Sequence, residues 1–243
     1  MEECDTLQTC DSQVLSAVNT DEEQARVVYL VRREGLSAVF KSQVLGRMSK
    51  VAELGYPVEV AVFKPLGQWI RPALRHQWQE VIRSAPAALA GRVKSLPSFP
   101  SRIDWPEAEA HYLKWWLRMR FGRSQPVILQ CRNATTSGMA LQVKRSLPQV
   151  KVIYDCRGIE SEELLYMQGA SYTNASENLR QTVDWFDNQQ RTAARNADGI
   201  VCVSHAMVEY ISAKYGVLAD KCLVMPCCPD VRSEEHTSEL QSR

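Results

Sequence analysis

Polar and charged residues cluster directly behind the short apolar runs of this chain. Arg32, Arg33 and Gly35 follow Arg26-Val-Val-Tyr-Leu-Val31, and Lys64 follows Val58-Glu-Val-Ala-Val-Phe63. Arg132 and Asn133 follow Val127-Ile-Leu-Gln-Cys131; Asp155, Arg157, Gly158, Glu160 and Glu162 follow Val150-Lys-Val-Ile-Tyr154; Ser204 and His205 follow Ile200-Val-Cys-Val203. In an open parallel sheet the ligand crevice lies outside the carboxyl ends of the strands, so these residues would face it. Cations converging on one edge, beside helix N-termini with their free N–H groups, suit an anionic ligand. Each residue also has a plainer reading. Arg32, Arg33 and Lys64 fit solvated loop charges, Asp155 and Arg157 fit a mutual pair or a helix cap, and His205 fits a structural place behind the N-cap residue Ser204. Gly158 would let backbone approach a ligand closely. Gly35 stands alone and makes no GxGxxG fingerprint. No residue earns a catalytic role from its type and spacing, and no His or Cys grouping has metal-ligand spacing.

These residues need a scaffold, and the pattern behind them predicts one. Short β-type runs alternate with segments of helical period, which is the signature of a parallel sheet covered by helices on both faces. Cys222-Leu-Val-Met225 is a sixth run and Arg92-Val-Lys-Ser-Leu96 a weaker seventh. Phe40, Val44, Met48 and Val51 share a helical face that Gly55 closes, making the first βαβ unit. Helices are predicted over 137–147, 176–196 and 206–215. The stretch from Leu66 to Trp105, punctuated by Pro72, Pro86, Pro97 and Pro100, reads as an irregular insertion.

Charge divides the chain into three parts. Residues 1–24 carry seven carboxylates and no Lys or Arg and read as an acidic, disordered leader. Residues 232–243, Arg-Ser-Glu-Glu-His-Thr-Ser-Glu-Leu-Gln-Ser-Arg, read as a translated sequencing-library adapter and contribute −1. With +1 on the whole chain, the body over 25–231 carries +9, which favours anionic partners. The eight cysteines form no CxxC pairs; Cys131, Cys156 and Cys202 sit in or beside strand-like runs, as free thiols do in a reducing compartment. A cytoplasmic protein without a resident cofactor or metal is expected, and nucleic acid is not an expected partner. The segment His111-Tyr-Leu-Lys-Trp-Trp-Leu-Arg-Met-Arg-Phe-Gly-Arg123 mixes aromatics with cations at helical spacing. It suits first a helix packed on the sheet with a solvated basic face, since the preceding and following strands need such a cover; the alternative is an interfacial helix touching the inner face of a membrane.

The motifs in order, Gln130-Cys-Arg-Asn133, Lys151-Val-Ile-Tyr-Asp-Cys-Arg-Gly158, Ala197-Asp-Gly-Ile-Val-Cys-Val-Ser204, Tyr215-Gly216 and Val224-Met-Pro-Cys-Cys-Pro-Asp230, resemble the amino-terminal domain of family 4 glycosyltransferases. The resemblance implies α/β architecture: one Rossmann-like half of a two-domain GT-B enzyme that transfers a sugar from a nucleotide-sugar co-substrate to a glycan or lipid-linked hydroxyl acceptor. It implies that Arg32 to Gly35 approach the donor phosphates, and that Arg132, Asp155, Arg157 and Gly158 line the cleft. The family's glycine pair after the first strand is reduced here to Gly35. The donor-binding carboxyl-terminal half is expected to lie outside this sequence, leaving the fragment inactive by itself. A non-catalytic carbohydrate- or nucleotide-binding module, or a related epimerase or phosphorylase, would share the same architecture.

Overall fold

A computed structural model describes residues 24–32, 40–65, 70–98 and 106–226. The leader up to residue 23, Arg33, Gly35 and the tail lie outside the described residues. Seven strands form one parallel sheet: β1 (Arg26–Arg32), β2 (Val58–Pro65), β3 (Val93–Ser98), β4 (Val127–Cys131), β5 (Val150–Cys156), β6 (Gly199–Cys202) and β7 (Cys222–Val224). Their order is 3-2-1-4-5-6-7, so the chain winds outward from β1 in one direction, then returns to β4 and winds in the other. This reversal places a topological switch point between β1 and β4, where Tyr29 pairs Gln130 and Leu30 pairs Cys131. Val28, Tyr29 and Leu30 are fully buried, as a central strand covered on both faces requires.

Helices separate the strands. The first, α1, starts with wide π-type turns over Phe40–Gly46 and continues as a regular helix over Arg47–Glu53. It is followed by α2 (Pro72–Arg83), α3 (Pro106–Phe121), α4 (Ala134–Lys144), α5 (Glu160–Met167), α6 (Glu177–Asn196) and α7 (His205–Tyr215). Phe40, Val44 and Met48 of α1 and Trp78 of α2 pack with Tyr29, Val31, Val60 and Val62 on one face of the sheet. The opposite face carries Leu30, Leu129, Val152, Tyr154 and Ile200 against Leu113 and Leu117 of α3, Met139 of α4, Ala193 of α6 and Ile211 of α7.

Between Leu66 and Trp105 the described residues, 70–98, do not form the irregular insertion that the prolines suggest. They form a regular crossover: α2, a 3₁₀ turn at Ala87–Leu89, and β3. Its described prolines sit where they cost least. Pro72 occupies the first turn of α2, Pro86 precedes the 3₁₀ turn, and Pro97 lies in β3, the edge strand of the sheet. The sequence reading also passed over α5, whose eight residues hold too short an apolar stripe to show a period.

One helix overshoots its neighbours. Gly138 of α4 lies beside the Gln189 side chain of α6, and Gln142, Lys144 and Arg145 border the same recess as Thr192 and Asn196. In that register α6 begins eight residues before α4 does, a projection of about 12 Å. The projecting end carries its own small core, Leu165, Ala175 and Val183, which fastens α5 to α6.

Candidate functional site

Asp155 closes β5 with none of its side chain exposed. The Tyr29 hydroxyl donates to its Oδ2 at 2.5 Å, and the Gln130 amide donates at 3.4 Å. Register puts these groups together: Tyr29 and Gln130 are partners across β1 and β4, and Gln130 pairs Ile153, two residues before Asp155 on the same face. Two guanidinium groups close on the same carboxylate. Arg157 Nε stands 2.8 Å from Oδ1, and Arg47 Nη1 reaches Oδ2 from α1 at 3.3 Å. Arg132 acts on Asp155 electrostatically and donates to the Gln43 side chain at 3.1 Å.

Burial pushes the Asp155 carboxyl up to about 6, while the Tyr29 hydroxyl, Arg132 and the Gln130 amide favour its ionised form. Burial, reinforced by Asp155, keeps the Tyr29 phenol protonated far above its ordinary range, so it remains a donor. At neutral pH the group therefore has one carboxylate and three guanidiniums, a positive excess at the carboxyl ends of β1, β4 and β5. That is the arrangement an anionic ligand at the switch point would meet.

Other residues singled out in the sequence have structural partners. Arg32, 7% exposed, donates to Glu109 of α3 at 2.6 Å, and Glu109 also accepts from Ser98 at the end of β3. This is a buried ion pair rather than the solvated loop charge that fits the sequence equally well. Lys64 is likewise buried, with its ammonium 3.4 Å from the centre of the Trp78 ring, and desolvation lowers it to about 7. Asn133 is the N-cap of α4, accepting from the Thr136 backbone at 2.8 Å and from its hydroxyl at 2.6 Å. Ser204 caps α7 by accepting from Met207, as its position after a strand suggested, and His205 behind it is exposed. Gly158 is closely approached, but by the Glu163 side chain: a Cβ there would lie 1.8 Å from Oε1. Its carbonyl accepts from the buried Gln190 of α6 at 3.4 Å.

Glu162 points to a different feature. It accepts from Tyr210 at 2.7 Å and from Lys214 at 3.3 Å, in a recess of about 550 Å³ between α5, α6 and α7 that Tyr172 and Asp184 also line. The free thiols of Cys131, Cys156 and Cys202 are buried, and burial pushes the latter two up to about 12, so they serve as small apolar groups.

The sequence reading placed Arg132, Asp155 and Arg157 together, and the structure brings them to one charge group. It overlooked Tyr29 and Arg47. Tyr29 sits inside a run among the apolar Val27, Val28, Leu30 and Val31, and Arg47 lies mid-helix, so neither follows a strand. The signal for Tyr29 was its phenol: a buried Tyr hydroxyl needs a partner, and a partner at strand depth implies a polar neighbour on an adjacent strand.

Fold and site together define a Rossmann-like α/β domain with a cationic carboxyl edge. The chain belongs to the glycosyl transferase 4-like domain family, whose profile matches residues 42–228. Among solved structures it is similar to the apo form of the lipopolysaccharide outer core galactosyltransferase WaaB, at 12% identity and a TM-score of 0.45, covering 82% of this chain and 44% of that one. It is also similar to a UGT transferase from Siraitia grosvenorii in complex with UDP, at 12% identity and a TM-score of 0.50, covering 88% of this chain and 54% of that one. The chain thus spans about half the length of these structures. No curated protein sequence matches it.

Proposed function

We infer that the chain is the acceptor-side domain of a glycosyltransferase that moves a hexosyl group from a nucleotide sugar to a hydroxyl of a glycan or lipid-linked acceptor, with retention of configuration. The observation that carries this reading is the gathering of Arg47, Arg132 and Arg157 at the switch point of a domain in this family. The hard electrostatic task in such a transfer is stabilising the departing diphosphate, and fixed guanidiniums at a cleft edge perform it without reorganising. The UDP in the Siraitia grosvenorii structure supports a nucleoside diphosphate as that leaving group. Asp155 fits a positioning role: it holds Arg157 and Arg47 in place through contacts made inside the protein. The nucleotide sugar acts as co-substrate rather than as a resident cofactor, and most of its binding surface belongs to a second Rossmann-like half.

The 243-residue chain alone should therefore show no donor-dependent turnover, and joining it to a donor-binding second half from the same gene should produce it. In the joined protein Arg157→Gln should lower kcat by at least about tenfold without loss of fold, as expected when one donor to a developing charge is removed. Robust turnover by the chain alone would overturn the division of labour. Tight carbohydrate or nucleotide binding with no turnover in the joined protein would make the domain a binding module.

A further inference from the structure

Helix α3 settles onto the sheet through Ala110, Leu113, Leu117 and Phe121, all buried. That packing leaves an outward stripe at helical spacing, His111, Trp115, Arg118 and Met119, in which Trp115 is 56% and Met119 71% exposed. Two large apolar side chains one turn apart on a convex helix are not core residues, and no described element covers them. The Tyr112 ring, 5.6 Å from Trp115, extends the apolar surface. Cations flank it beyond the first turn, where the exposed Glu107 stands: Lys114 is half-buried, Arg118 and Arg123 are exposed, and Arg120 pairs with Glu59 at 2.7 Å. No acidic residue occurs between Glu109 and Asp155, a stretch with eight Lys and Arg. Glu109 itself is turned inward to Arg32.

We propose that the outer face of α3 is a docking surface for anionic lipid bilayers, with Trp115 and Met119 entering the headgroup boundary and Lys114, Arg118 and Arg123 meeting lipid phosphates. Charge complementarity selects an anionic partner. The protruding Trp and Met on a convex helix select a surface soft enough to admit them, and the lengthwise stripe is that of a helix lying in an interface. Tryptophan favours that boundary because its ring is apolar and its N–H can stay wet. This inference does not depend on the reading of the cleft, although a lipid-linked acceptor would give such docking a purpose.

Flotation of the full chain with phosphatidylcholine vesicles, with and without phosphatidylglycerol, tests it. The chain should float with the anionic vesicles only. Arg118→Gln with Arg123→Gln should weaken that binding about 25-fold, at about fivefold for each cation removed. Trp115→Ser with Met119→Ser should abolish the binding that survives high salt. All four positions are exposed, so thermal melts of the variants should overlay the parent. Absence of flotation, equal flotation on neutral vesicles, or unchanged binding by the Trp115/Met119 variant would overturn the proposal. So would concentration-dependent self-association that the Trp115/Met119 variant loses, or RNA binding that competes vesicles away and survives that substitution.

Discussion

Ionising Asp155 in the interior costs desolvation, and how far its neighbours offset that cost sets the response of the protein to pH. Its folded value of about 6 lies above the ordinary 3.8. The native state therefore retains a proton that the unfolded chain has already released as pH rises through this window. The resulting stabilisation is fully present below the unfolded value and is lost as pH rises through about 6. Stability of the parent minus that of Asp155→Asn should thus fall by about 2 kcal/mol between pH 4 and pH 7, measured by chemical denaturation at each pH. A difference that stays flat would mean that Arg157 and Arg47 hold the carboxyl within its usual range. Position in the chain was enough to place Asp155 and Arg157 together at the carboxyl end of β5. It was not enough to separate Arg32 from them, because all three follow strands, and only the tertiary partner Glu109 turns Arg32 into an internal ion pair.

Most elements were legible because their signals are local. Ser176 and Ser204 mark the starts of α6 and α7 through caps on Leu179 and Met207, and Gly216 ends α7 with a left-handed φ of 68°. Gly216→Ala should destabilise by about 1–2 kcal/mol through that φ alone, since its new Cβ would meet nothing nearer than an Arg195 nitrogen at 3.9 Å. The denaturant midpoint should drop with an unchanged slope; a change in slope would point instead to an altered unfolded state. The crossover through α2 was hidden for the opposite reason. Prolines signal a break wherever they occur, and whether one interrupts hydrogen bonding depends on its place in the element. Pro97 is tolerated because β3 has a neighbour on only one side, a property of strand order that no local window contains. The overshoot of α6 was likewise beyond local reading: its length was evident, but its register against α4 is set by how Gly138 admits Gln189.

Across the whole molecule, protection should follow distance from the switch point. Amides of β1 and β4, each flanked by two strands at the centre of the sheet, should exchange with solvent slowest, and those of β7, three residues long at the sheet edge, fastest. Amide exchange followed by mass spectrometry would show this order, and uniform protection would argue against a graded sheet. The alternation of strands and helices fixed the architecture from sequence. The strand order followed only from pairing, because a chain that winds in both directions has the same linear alternation as one that winds in a single direction.

The central position of β1 also bears on how the protein is made. β1 is synthesised before the other described strands, yet its partner on one side begins at Val127, so the residues between Arg26 and Val127 must leave the ribosome before that pairing can form. Until then, even with β2 in place, Leu30 and its neighbours present an open apolar edge to other nascent chains or to a chaperone. The strand that finishes at the centre of the sheet is thus an exposed liability during translation: a ribosome pause ahead of β4 would prolong that exposure, and a premature stop would release a chain prone to aggregate.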